Sequence, residues 1–242
     1  MSTLSIEHLS VSAGEKQLLS DISLTLQSGE MHILMGPNGS GKSSLLNALM
    51  GHPRYTITEG KMVLDGEEIT SLSTEKKAKL GLFLSLQHLP EIAGVTLTNF
   101  LHRAAKEVKG STQGPLEFYR ASEAKAKEAG IDPVFLKKHV NTGLSGGEKK
   151  QSEVLQLLIL EPKFAFLDEI DSGVDVDAMK KVYAGIERLR ASGMGFLLVT
   201  HHPKVLEHLI PDHVHILRDG ALVASGGAEL AERIAADGFA AL

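Results

Sequence analysis

The run Gly36-Pro37-Asn38-Gly39-Ser40-Gly41-Lys42-Ser43 constrains this chain more than any other feature. It follows an apolar segment ending at Met35 and opens a stretch that sets Leu45, Leu46, Leu49 and Met50 on one helical face. Strand, glycine-rich loop and helix in that order form the context that makes such a pattern a phosphate cradle. The glycines let backbone N–H groups curl around phosphate oxygens, and the helix N-terminus adds its positive end. Lys42 is placed to reach the β- and γ-phosphates of a bound ligand, and Ser43 to ligate Mg²⁺. Ser44 joins the nucleotide-binding set in the first helical turn.

A second signal is Phe164-Ala165-Phe166-Leu167-Asp168-Glu169, four apolar residues running into two acids. A buried strand that ends in acids delivers carboxylates beside the phosphate loop of an α/β sheet. Asp168 is expected to hold Mg²⁺, and Glu169 to orient and deprotonate the attacking water. A third is Leu144-Ser145-Gly146-Gly147-Glu148. Ser145 with Glu148 reads as a capping box for a helix running to Leu160. Two glycines in that first turn cost helix propensity, which makes sense where a phosphate approaches the N–H groups closely.

Short apolar runs recur at Leu4 to Leu9, Ile22 to Leu26, His32 to Met35, Met62 to Leu64, Leu82 to Leu86, Phe164 to Leu167, Phe196 to Val199, Val214 to Leu217 and Ala221 to Ala224. Asp65-Gly66 and Asp219-Gly220 predict two hairpin turns. Helical patterns follow other runs, as in Asp177 to Leu189, so the fold class is α/β with a parallel core and an antiparallel portion. Residues 89 to 160 are rich in Ala, Lys and Glu with no convincing strand, and Pro115 to Ala129 reads as a helix closed by Gly130. The expected organisation is one domain over 1–242, with an α/β core of 1–88 and 161–242 and a helical insert of 89–160.

Composition narrows the function classes. There is no cysteine, which excludes disulfides, thiol catalysis and a cluster held by the chain's own thiolates. Acids outnumber bases 30 to 25, unlike the basic footprint of a nucleic-acid binder. No apolar run approaches the ~20 residues of a membrane span, and MSTLSIEHLS lacks the features of a signal peptide, so a cytoplasmic location is expected. His213 and His215 alternate on a predicted strand. Two ligands do not make a Zn²⁺ site, so both are read as strand positions that contact neighbours or water.

Taken in this order and spacing, the loop, the Leu144–Glu148 signature and the acidic strand end resemble those of ATP-binding-cassette (ABC) ATPases over essentially the whole chain. The resemblance implies an ABC-type nucleotide-binding domain that hydrolyses ATP. It implies that Gln87 senses Mg²⁺ and the attacking water, and that His201, directly after Leu197-Leu198-Val199-Thr200, contacts the γ-phosphate, with His202 as the adjacent alternative. It also implies an ATP-dependent homodimer in which Ser145 and Gly147 act on the partner's nucleotide. Ala13 stands where the family often stacks an aromatic on adenine, and Gln151 where a basic residue is common. The stretches Ile170 to Asp177 and Leu144 to Lys150 depart from the transporter pattern, and His88 to Val95 and Pro211 to Leu217 are read together with them. With Asp237-Gly238-Phe239, they resemble the SufC group, soluble ATPases of iron–sulfur cluster assembly. That narrower resemblance implies SufB and SufD as partners. The alternatives are a transporter's ATP-binding subunit and a nucleotide switch that does not hydrolyse.

Overall fold

A computed structural model describes residues 1–87, 90–170, 175–200 and 203–238. In chain order the elements begin with strands β1 (Thr3–Ala13), β2 (Lys16–Gln27) and β3 (Met31–Met35), then helix α1 (Lys42–Met50). Next come β4 (Thr56–Leu64), β5 (Glu67–Glu68), α2 (Thr74–Lys79), β6 (Leu82–Ser85), β7 (Ile92–Thr96), α3 (Leu97–Lys109) and α4 (Pro115–Glu128). The remainder is β8 (His139–Val140), α5 (Gly146–Leu160), β9 (Phe164–Asp168), α6 (Val176–Ala191), β10 (Gly195–Val199), β11 (His213–Arg218), β12 (Ala221–Gly226) and α7 (Ala228–Asp237).

The main sheet has the order β12-β11-β3-β10-β9-β6 and is parallel except for β12. Its central strands are buried on both faces, which is why they read as continuous apolar runs rather than alternations. Met31, Ile33, Met35, Ala165, Leu167, Phe196 and Leu198 pack toward the helices of residues 97–160. Leu34, Phe164, Phe166, Leu197 and Val199 face the opposite way, into a core shared with α1 and the antiparallel sheet β2-β1-β4-β5. Among the described residues, no helix is long and apolar enough to cross a membrane.

Every apolar run singled out above falls in a strand, save that Leu86 lies one residue past β6, and both Asp-Gly turns form with positive φ at each residue. Asp65 and Asp219 have φ near 50°, the geometry whose twist suits a two-residue hairpin. Two expectations need correction. The short runs Leu4 to Leu9 and Ile22 to Leu26 belong to much longer strands, β1 and β2, which pair as a hairpin spanning Thr3 to Gln27. Register shifts in β1 and left-handed residues at His8 and Asp21 break the alternation that would have revealed its length. The segment expected to lack strands contains β7 and β8, which pair antiparallel, with Ile92 opposite Val140. Two residues of β8 are too few to register as a period in sequence.

Candidate nucleotide site

The phosphate loop leaves β3, whose five residues are all buried, and turns over the end of the sheet. Gly36 is required by close approach: a Cβ there would sit 2.1 Å from the Leu217 carbonyl oxygen. Gly41 is required twice over, by a φ of 108° and by Leu19 Cδ2 only 2.7 Å from a would-be Cβ. The Gly220 N–H donates to the Ser40 carbonyl at 3.1 Å, so the β11–β12 turn braces the loop from behind. Lys42 Nζ donates to the Gly36 and Pro37 carbonyls at 2.8 and 2.9 Å. Its ammonium is buried, and desolvation lowers its pKa against the opposing pull of Glu169 and Asp168.

β9 then delivers the acids. Asp168 is buried, and desolvation raises its pKa; the Ser43 hydroxyl, hydrogen-bonded to it, pulls the other way. Asp168 Oδ1 has no hydrogen-bond partner. An orphaned buried carboxylate oxygen beside the Ser43 hydroxyl fits the hard, oxygen-only ligand preference of Mg²⁺. Glu169 adopts a left-handed φ of 47°, a conformation that costs about 1–3 kcal/mol outside glycine and collects at functional sites. Its N–H donates to the Val199 carbonyl at 3.0 Å, which turns its side chain off the strand direction. Gln87 Nε2 donates to Glu169 Oε2 at 2.7 Å.

Asn38, Gly39, Gly41, Lys42, Ser43, Ser44, Gln87 and Glu169 thus line one cavity of about 390 Å³. Gly36, Pro37 and Ser40 sit in the loop itself and carry its hydrogen bonds to Lys42 and Gly220. Ser145 and Gly147 do not line this cavity. They open α5 through a complete capping box: Ser145 Oγ accepts from the Glu148 N–H at 3.3 Å, and Glu148 Oε2 accepts from the Ser145 N–H at 2.8 Å. His201 lies outside the described residues, as do Asp171 to Val174 and His88–Leu89.

Sequence reasoning missed Leu18, which lines the cavity from β2; an apolar residue in a distant strand carries no local mark of such a role. It also missed a buried polar cluster. Ser85 Oγ hydrogen-bonds Glu153, whose other oxygen forms a 2.8 Å ion pair with Lys150. Burial pushes the Glu153 carboxyl up. The cluster ties α5 to β6, two residues before Gln87. His213 and His215 are strand residues, as expected, and β11 seats both against His32.

The sequence model described as ABC transporter matches residues 19–172. Vegetative protein 296 of Bacillus subtilis (strain 168) is 43% identical, over 98% of this chain and 92% of that protein. A probable ABC transporter ATP-binding protein of Streptococcus pyogenes serotype M3 is also 43% identical, over 100% of this chain and 95% of its own. A bacterial ABC transporter cassette solved as a dimer superposes with a TM-score of 0.79 at 20% identity, over 93% of this chain and 98% of that one. Phosphate loop, acidic strand end and capped signature helix therefore stand in a known frame, and the chain belongs to the ABC transporter family as an ATP-binding cassette that hydrolyses ATP.

Proposed function

We propose that this cassette is the ATPase subunit of a SufC-type assembly engine, in which hydrolysis drives shape change in two scaffold partners of the SufB and SufD kind. The observation that carries the hydrolytic part is the Gln87–Glu169 hydrogen bond at 2.7 Å, on the wall of the Lys42 cavity. It orients a carboxylate on the cavity wall to accept a proton from a water attacking a γ-phosphate. Lys42 exchanges its loop carbonyls for β- and γ-phosphate oxygens. Ser43 and Asp168 would hold Mg²⁺, and Gln87 would sense it. When bound there, the ion would neutralise part of the negative charge of the phosphates. Glu169 takes the water's proton, and the helix dipole of α1 faces the developing charge. His201 completes the set by resemblance, as the γ-phosphate contact.

Dimerisation is part of the reading. Ser145 Oγ uses a lone pair to cap α5, and its O–H, which lies beside the Glu148 carboxylate, can rotate to donate to a visiting anion. The phosphate site of the same chain is already built by residues 36–44. A second copy's γ-phosphate is the anion that fits, and the pair shares two sites symmetrically.

The Suf assignment rests on the Ile170–Asp177 stretch and on an engine with no thiolate of its own. Glu91, in the segment that follows Gln87, pairs with Lys149 of α5 at 3.0 Å. Partner docking there would couple the γ-phosphate sensor to the signature helix, whereas Ile92 is a core-packing residue. The transporter-subunit reading is favoured by a different observation, the similarity to a Streptococcus pyogenes protein described as a probable ABC transporter ATP-binding protein.

Glu169→Gln should leave ATP binding intact and slow phosphate release by roughly 10²- to 10⁴-fold, the usual worth of a general base. Near-normal release would remove Glu169 from that role. Affinity capture of the native chain should yield soluble scaffold proteins; capture of integral membrane subunits would replace the Suf reading with the transporter one.

A further inference from the structure

The nucleotide cavity occupies one end of the main sheet. The other end carries ionisable side chains that the nucleotide chemistry does not use. Parallel register sets His213 of β11 beside His32 of β3, with ring centroids 4.6 Å apart. Glu30, just before β3, brings Oε2 to 3.1 Å from His32 Nε2. One donor atom each from Glu30, His32 and His213 lies within 4.8 Å of the others. His32 precedes Gly36 by four residues, so about 13 Å of strand separates this cluster from the phosphate loop.

We propose that Glu30, His32 and His213 form a second site on this chain, for a divalent transition-metal ion of the Zn²⁺ type with one position open to solvent. Two imidazole nitrogens and one carboxylate oxygen are a borderline-soft donor set, and three protein ligands with an open fourth position suit Zn²⁺. Bonds of about 2.0–2.2 Å at tetrahedral angles place ligand atoms roughly 3.3–3.5 Å apart. Glu30 and His32 already stand at about that separation. His213 is exposed at the sheet end and has about an ångström to close. With no cysteine in the chain, no thiolate competes for the ion.

The surroundings are built to hold these ligands. Glu30 Oε2 also accepts from the Gln27 N–H at 2.9 Å, which fixes the carboxylate. Asp212, next to His213, accepts from the Met31 N–H at 2.7 Å and from Arg190 Nη2 at 2.8 Å, and its own N–H donates to the Met31 carbonyl. Both strand starts are thereby locked together. Behind His32 runs a relay: His32 Nδ1 lies 3.0 Å from His215 Nε2, and His215 Nδ1 lies 2.8 Å from Ser225 Oγ. A metal on His32 Nε2 puts the His32 proton on Nδ1, donating to His215, whose own Nδ1–H then donates to Ser225. Without metal, His32 Nε2–H donates to Glu30 and the tautomers reverse along the relay. Either state satisfies the buried nitrogens, and metal-ligating histidines characteristically carry such an outer partner.

The test is a titration of the tag-free, nucleotide-free full chain with Zn²⁺ against a chromophoric chelator. One equivalent should bind saturably. His213→Ala and Glu30→Gln, at partly exposed side chains that tolerate substitution, should each weaken Zn²⁺ at least about 10-fold. His8→Ala, at an exposed histidine paired with Asp21, should change nothing. Zn²⁺ should also raise the thermal midpoint of the wild type and leave that of His213→Ala where it was. No saturable binding, affinity unchanged by either ligand substitution, or equal weakening by His8→Ala would overturn the site. None of these readouts uses ATP turnover, so the outcome is independent of the proposed engine.

Discussion

Helices α1 and α5 both begin at glycine-rich sequences, and they begin differently. α1 has Gly41 as its N-cap, no side-chain cap and no acid in its first turn. α5 has Ser145 and Glu148 bonded reciprocally, with Lys138 bonded to Glu148 at 2.6 Å. The first N–H groups of α1 are thus open to a cavity, while at α5 the Ser145 and Glu148 N–H groups are met by the chain itself. An uncapped helix start is a receptor waiting for an anion. A capped one is a stable structural element that can still lend its hydroxyl proton to a visitor. On the proposed function, the same glycine-rich appearance would encode a resident phosphate site in one place and a borrowed donor in the other.

Removing the cation from the α1 site should have the largest effect. Lys42→Ala is expected to weaken ATP binding and abolish hydrolysis, since no compact charge remains at the β- and γ-phosphates. Phosphate release and a nucleotide titration check it, and unchanged values would reduce the loop to a turn. At α5 the expectation splits. Ser145→Arg should retain ATP binding, because residues 36–44 are untouched, yet lose hydrolysis through the blocked partner site. Mixed with Lys42→Ala, it should regain part of the activity, since one heterodimer site is then intact. Full activity of Ser145→Arg alone would erase the distinction between resident and borrowed sites.

Smaller effects sharpen the capping half of the contrast. Ser145→Ala should lower stability by about 1 kcal/mol, seen as a shifted denaturant midpoint at constant slope. The faintest signal is in pH. Lys138 first, and then Ser145, hold the Glu148 carboxyl down at about 2, against an ordinary 4.5. A depressed carboxyl contributes fully above its unfolded value and loses that contribution as pH falls toward its folded one. The stability gap between wild type and Glu148→Gln should be constant above 4.5 and close between 4.5 and about 2. A gap that stays open at the acid end would show that Glu148 acts through something other than its charge.

What sequence disclosed depended on how locally each feature is written. The phosphate loop occupies eight consecutive residues, and Asp168 and Glu169 are neighbours at a strand end, so their placement together could be read directly. The buried strands announced themselves because both faces are apolar. β1 and β2 were read short because their register shifts interrupt the alternation at His8 and Asp21. Leu18, the Ser85–Glu153–Lys150 cluster and the meeting of His32 with His213 were illegible, because each depends on a contact between distant segments. The position of Gln87 came through family likeness. Its hydrogen bond to Glu169, across 82 residues, belongs to the fold.

The brace between Gly220 and Ser40 has a consequence for the birth of the protein. The loop that reads so clearly in the first fifth of the chain rests on a hairpin made near the end, with the Leu217 carbonyl filling the space under Gly36. About 180 residues separate loop and brace. At about 5–20 residues per second, a translating ribosome needs on the order of ten to forty seconds to cross that interval. Throughout it, the growing polypeptide carries a complete phosphate-binding sequence on an incomplete support. Competence for nucleotide thus arrives late and all at once, when the last hairpin closes, so a truncated chain lacking that hairpin presents the motif without the grip.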